Sequence, residues 1–277
     1  MESVIQSIEL FYPKILIGSI LGSVLSCLGI ILVLRNMSFF CITISQIATS
    51  IYAVTLFFGI SGEYSVLLIT LCMALPIFYW SAESNKMDTI LGILFVSFSG
   101  FSQMLLAMGG NVKNHIVSAY LGDILLSDLN LTSPFLYLIL FAFFGFILIY
   151  KKLLFLSFDR DEYLVRGNSR TIELIFLIIL VLTLSISVNL LGSIYSSAQL
   201  LIPGFTAVLL FRSMGMVFFF SIFLSLFSGI LGFMVSLIGF QKQNDIIYFP
   251  TSSTIVCFLA LTSFVILIFR KLLIRKR

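Results

Sequence analysis

Nine apolar runs, each near the length that crosses a bilayer as a helix, follow one another along this chain. A spanning helix needs about 20 residues at 1.5 Å per residue to cover a hydrocarbon core of about 30 Å. In lipid every backbone N–H and C=O must find its partner inside the protein, so only helices or a closed barrel cross. Unbroken apolar runs, without the alternation of a barrel strand, select helices. The runs cover residues 15–34, 39–60, 64–80, 89–108, 133–150, 172–191, 196–211, 214–240 and 253–269. The expected fold is therefore an all-α integral membrane protein, a polytopic helical bundle of about nine transmembrane helices forming one domain, 1–277. With 60% hydrophobic and 10% charged residues and a mean hydropathy of +1.17, a soluble domain is excluded. Residues 1–13 read as a short interfacial segment; Glu2 and Glu9 argue against a signal peptide. Residues 109–132 are mostly polar, and their apolar piece 116–126 is too brief to cross.

Charge between the runs sets orientation. With the basic tail 270–277 placed inside and the runs alternating backwards, 13 lysines and arginines fall on the inner side. Only Lys14, Lys113 and Lys242 remain outside. That bias predicts the N-terminus out and the C-terminus in. The net charge of +4 needs no nucleic acid to explain it.

The most charged interruption, residues 151–171, then faces the cytoplasm. Within it, 158–167 has the signals of a short capped helix. Asp159 stands at the N-cap, Asp161 and Glu162 fall in the first turn, Arg166 in the last, and Gly167 can take the left-handed cap. A helix of about two turns is unstable alone in water, so it needs the rest of the protein or a partner to hold it. A solvated loop that merely carries topology charge has the same composition.

Small residues recur every fourth position at Gly18, Gly22 and Ser26, and again at Ser228, Gly232 and Ser236. Such stripes let helix backbones approach closely in lipid. Pro203-Gly204 interrupts the seventh run and predicts a kink or opening there, either lining a wet path or serving packing alone. Ionisable residues are absent from the run interiors, so a polar path must be neutral. Its candidates are Thr43, Gln46 and Ser50 in the second run, Ser97 in the fourth, Asn189 in the sixth, and Ser197, Gln199 and Pro203 in the seventh. Ser45, Thr49, Ser99, Ser102, Gln103, Ser185, Ser187, Ser196 and Thr206 accompany them. Cys27, Cys41, Cys72 and Cys257 read as small buried hydrophobes, and His115, the sole histidine, as a surface residue. The chain has no GxxxxGK[ST] loop and no paired Cys/His site, so no catalytic residue, metal ligand or cofactor is expected in it. Uphill transport would then draw its energy from a partner.

Several short stretches, in order, resemble the permease subunit of bacterial ABC importers for zinc, manganese or iron. They are Leu34-Arg35-Asn36-Met37-Ser38-Phe39-Phe40, Asp88-Thr89-Ile90-Leu91-Gly92-Ile93, Gly122-Asp123-Ile124-Leu125, and Ser157-Phe158-Asp159 through Gly167. Gly192 to Ala207, with Leu201-Ile202-Pro203, and Pro250-Thr251 with Thr254-Ile255-Val256 complete the set. The resemblance implies a multi-pass protein of the bacterial cytoplasmic (inner) membrane, in contact with lipid. It implies a second permease copy or paralogue, an ATP-binding subunit and an external solute-binding protein. Coupling to the ATPase would fall to Asp159, Asp161, Glu162, Tyr163, Leu164, Arg166 and Gly167. Two departures stand out. Ile42 and Gln46 occupy positions where the family commonly carries an aspartate and a histidine, and Ser252 stands at a family glycine. An ion-coupled secondary transporter, a permease for a metal chelate and a non-transporting scaffold remain alternatives.

Overall fold

The computed structural model describes residues 2–58, 63–82, 87–107, 134–158, 169–237, 240–242, 245–247 and 249–275. They form α1 (Glu2–Leu34), α2 (Ser38–Phe57), α3 (Glu63–Ala82), α4 (Met87–Ala107), α5 (Pro134–Phe158), α6 (Ser169–Leu191), α7 (Ser193–Leu210), α8 (Met214–Leu237) and α9 (Thr251–Arg275). Between α8 and α9 lies a small antiparallel pair, β1 (Phe240–Lys242) and β2 (Asp245–Ile247), with Gln241 opposite Ile246. Eight of the helices are long and apolar enough to cross a membrane; the apolar part of α3, Tyr64–Tyr79, is shorter.

The packed registers show that the helices alternate in direction. Thr43 and Ser50 of α2 meet Leu91 and Phe98 of α4, so those two run parallel. Phe40 near the start of α2 packs on Phe78 near the end of α3, so that pair is antiparallel. Gly22 of α1 faces Ser225 of α8 while Ser19 faces Gly229, again antiparallel. The helix ends carrying Arg35, Lys151, Lys152, Arg170, Arg212, Arg270 and Lys271 therefore gather at one end of the bundle.

α1, α2 and α6 are the most enclosed helices, whereas α4, α5 and α9 keep most of their surface outward. The largest buried cluster joins Leu28, Ile31, Phe40, Ile44, Phe146, Leu153, Phe176 and Leu180, and so ties α1, α2, α5 and α6 together. α1 and α7 approach backbone to backbone. A Cβ built on Gly29 would lie 1.5 Å from the Leu200 carbonyl oxygen, and one on Gly204 would lie 3.1 Å from the Ile30 nitrogen. A second close crossing joins α8 and α9, where a Cβ on Gly232 would lie 2.6 Å from Ile255 Cα. The stripe at 228, 232 and 236 is thus buried against α9 or its own bundle, as its spacing predicts.

Several features differ from the sequence expectation. α5 runs eight residues beyond 150, to Phe158, because Leu153 and Leu156 are buried while Lys151 and Lys152 point out, an amphipathic continuation of the span. The charged interruption is correspondingly shorter. α8 ends at Leu237, before the small strand pair. α7 stays helical through Pro203-Gly204, with Gly204 seated closely on α1, and Gly192, with φ 88° and ψ 158°, separates α6 from α7 where the sixth and seventh runs part. That combination suits glycine, which has no Cβ to clash. Finally, Cys27 and Cys41 are buried as expected, but Cys72 and Cys257 lie on the outward faces of α3 and α9, where lipid replaces protein as the apolar surround. The short capped helix expected at 158–167, and the residues Asp159, Asp161, Glu162, Tyr163, Leu164, Arg166 and Gly167 with it, lie outside the described residues. So does His115.

Candidate functional site

Most serine and threonine hydroxyls in this bundle bond the carbonyl one turn back on their own helix. Thr43 bonds Phe39 O at 3.0 Å, Thr49 bonds Ser45 O at 2.9 Å, and Thr206 bonds Ile202 O at 2.7 Å. A hydroxyl satisfied in this way is cheap to bury and by itself marks nothing. The informative ones reach across to another helix, and they form three groups.

The first lies between α2 and α4. Ser50 Oγ meets Ser102 Oγ at 2.6 Å and also reaches Phe98 O at 2.8 Å, while Thr43 Oγ1 reaches Leu91 O at 3.3 Å. Gln46, one turn from each, is 6% exposed. Ser97 does not join them: it is exposed on the far side of α4 and bonds its own helix at Ile93 O. The inward face of α4 is Leu91, Phe98, Ser102 and Leu105, a spacing of about two helical turns per heptad that puts Ser97 outside it.

The second group sits where α1, α7 and α8 converge. Tyr195 Oη donates to Gly18 O at 2.9 Å, and Ser225 Oγ donates to Gln199 Oε1 at 2.8 Å. Gly22 makes room for all three side chains: a Cβ there would lie 2.8 Å from Tyr195 Oη, 3.1 Å from Ser225 Oγ and 3.2 Å from Gln199 Cδ. Gln199 is fully buried, and its Nε2 has no hydrogen-bond partner. Sequence reading named Gln199 but missed Tyr195 and Ser225. The available signal was Tyr195 itself, whose hydroxyl at span depth requires a partner.

The third group braces the break at Gly192. Ser187 Oγ and Ser196 Oγ meet at 2.7 Å across it, and Ser196 Oγ also donates to Gly192 O at 2.7 Å. The carbonyl of Leu191, left without a helical partner, accepts from Ser252 Oγ of α9 at 3.0 Å. Asn189 and Ser197 lie half-buried at the edge of this group, and Pro203 is buried two turns away.

At the opposite end of the bundle α1 stops and α2 starts within three residues. Met37 N–H bonds Leu32 O at 2.9 Å and Asn36 N–H bonds Val33 O at 3.2 Å, with Asn36 in the left-handed region at φ 55°. These two bonds close a helix stop, and asparagine is the residue after glycine that best tolerates its conformation. Arg35, fixed in that stop, forms an ion pair with Glu173 of α6; their side chains are 9% and 14% exposed. Beside it lies a cavity of about 260 Å³ lined by Leu34 to Met37, Phe78, Met87, Leu156 and Ser157. Among the described residues no three of His, Cys, Asp and Glu gather to hold a metal ion.

The description "ABC 3 transport family" matches residues 7–270 of this chain, so the chain belongs to that family. The high-affinity zinc uptake system membrane protein ZnuB of Haemophilus influenzae is 24% identical over 204 residues, 72% of this chain and 77% of ZnuB. A membrane protein from the ycf23-apcF intergenic region of Cyanophora paradoxa is 28% identical over 256 residues, 90% of this chain and 82% of its own length. Among solved structures, PsaBC from Streptococcus pneumoniae in complex with Fab has the same fold, with a TM-score of 0.73 at 21% identity over 96% of this chain and 94% of that one.

Proposed function

We propose that this member of the ABC 3 transport family is the membrane-spanning permease subunit of an ATP-driven importer for divalent metal ions, of the zinc, manganese or iron class. The observation that carries this reading is the extent of the family match: residues 7–270 reach from the first described helix into the last. The relatives named for zinc uptake support the cargo class. In this reading the basic helix ends face the cytoplasm, with the N-terminus outside, in keeping with the positive-inside bias. An ATP-binding subunit docks on residues 159–167, an external solute-binding protein delivers cargo to the other face, and a second permease completes the pore. The chain contributes no ATP site and no cofactor. Its neutral lining offers a bare ion hydroxyls and the amides of Gln46, Asn189 and Gln199, weak substitutes for charged ligands where desolvation is costly. Selectivity therefore rests mainly on the binding protein. The same neutral lining favours a chelated metal as the second reading of the cargo.

Co-purification tests the subunit assignment. The ATP-binding subunit encoded with this chain is expected to remain bound to it through purification in mild detergent. Gly167→Val, which strains a left-handed cap, is expected to reduce the amount retained. Full retention by Gly167→Val with normal uptake would count against docking at 159–167.

A further inference from the structure

The ion pair between Arg35 and Glu173 is placed where force from a partner has to pass. We propose that the Arg35–Glu173 pair is the mechanical joint that transmits movement of the α5–α6 connection to the α1–α2 stop, and that both are positioning residues for transport. This role rests on the reading that residues 159–167 receive the ATP-binding subunit.

Residues 159–168 leave α5 at Phe158 and enter α6 at Ser169, so a displacement imposed on them reaches the bundle through those two helix ends. The two ends meet the α1–α2 stop differently. On the α5 side Leu156 and Ser157 line an open-sided cavity of about 260 Å³ together with Leu34 to Met37, and the contact α5 makes with that end of the bundle is the apolar packing of Leu153. On the α6 side Glu173, in the second turn of the helix, grips Arg35 directly. Movement of α6 is therefore passed on, and the cavity gives the stop room to move.

The receiving end is stiff. Arg35 sits inside a helix stop closed by two backbone bonds, with the left-handed Asn36 as its pivot and Met37 packed on the main core. Displacing it displaces the end of α1 and the start of α2 together. α1 in turn touches α7 backbone to backbone at Gly29 and Gly204, and α2 carries Thr43, Gln46 and Ser50. A push on Glu173 thus reaches two of the three polar groups through the Arg35 side chain and then through helix backbone. An apolar contact at the same place would slide; a charge-assisted hydrogen bond between nearly buried partners holds its geometry.

The test uses the complex with its ATP-binding subunit reconstituted in liposomes, with external binding protein and zinc or manganese, and reads both ATP hydrolysed and metal taken up. Glu173→Gln and Arg35→Gln are expected to keep the ATP-binding subunit and its basal ATP hydrolysis. They should take up at least tenfold less metal per ATP. The exchange Arg35→Glu with Glu173→Arg should recover a substantial part of that ratio, and Glu173→Gln should lose it at an unchanged Tm, which a merely structural loss would not. Glu173→Asp, which keeps the charge and shortens the reach, should fall between. Unchanged metal per ATP in Glu173→Gln would overturn the proposal, as would a drop that tracks loss of thermal stability and is not recovered by the exchange. Failure of the docking reading would appear separately, as Gly167→Val retaining the ATP-binding subunit in full.

Discussion

Replacing Gly29 by alanine probes the contact on which the α1–α7 pair depends. The added Cβ would sit 1.5 Å from the Leu200 carbonyl oxygen. A carbon and a carbonyl oxygen ordinarily approach no closer than about 3.3 Å. Leu200 O is backbone, so no rotamer change relieves the clash, and the helices must separate by roughly 2 Å at that point. Overpacking of this kind costs about 1–3 kcal/mol or more. Against it stands only the gain of about 0.5–1 kcal/mol from replacing a helical glycine by alanine. The expected net loss is about 2 kcal/mol, a fall of roughly 5 °C in Tm. Gly100→Ala is the matched control, because its Cβ meets nothing within 4 Å and should leave Tm unchanged or slightly raised. A thiol-reactive fluorophore added during a thermal ramp reports the transition through the buried Cys27 and Cys41, over the constant signal of the exposed Cys72 and Cys257. Equal midpoints for Gly29→Ala and Gly100→Ala would show that α1 and α7 do not cross this tightly.

Three further outcomes follow from single contacts. Gly22→Ala should destabilise through its 2.8 Å approach to Tyr195 Oη, and Tyr195→Phe should restore part of that loss; strict additivity in the double mutant, measured by the same ramp, would refute the contact. Asn36→Gly should be neutral or slightly stabilising while Asn36→Val costs about 1–2 kcal/mol, since only the latter strains the left-handed stop; equal midpoints would place Asn36 elsewhere. Ser252→Gly should cost about 1–3 kcal/mol by leaving the buried Leu191 carbonyl unpaired, and a neutral result would mean another group caps it.

The spans were legible because lipid leaves the backbone one solution, and apolar length alone then finds it: α6 ends at Leu191 and α1 at Leu34, as their runs do. Lys151 and Lys152 misled the reading of α5, because a helix leaving the membrane can stay helical as long as one face, here Leu153 and Leu156, has a core to meet. Pro203 lies within a continuous α7 whose Gly204 packs closely on α1, and the boundary at Gly192 falls where the sixth and seventh runs part. The neutral polar candidates could be listed from sequence, but sequence could not say which faced one another. Ser97 and Ser102 are five residues apart on one helix, and only Ser102 faces α2. The Arg35–Glu173 pair joins positions 138 apart in sequence, and no local pattern announces it.

The measurement that bears most directly on the assigned role is metal uptake into liposomes holding this chain with and without its co-purified ATP-binding subunit, at fixed external binding protein. Transport as a permease subunit predicts zinc or manganese accumulation against a gradient only when the ATP-binding subunit and ATP are both present, insensitive to collapse of proton and sodium gradients. Accumulation by this chain alone, abolished by collapsing an ion gradient and indifferent to ATP, would contradict it and make the protein a secondary transporter.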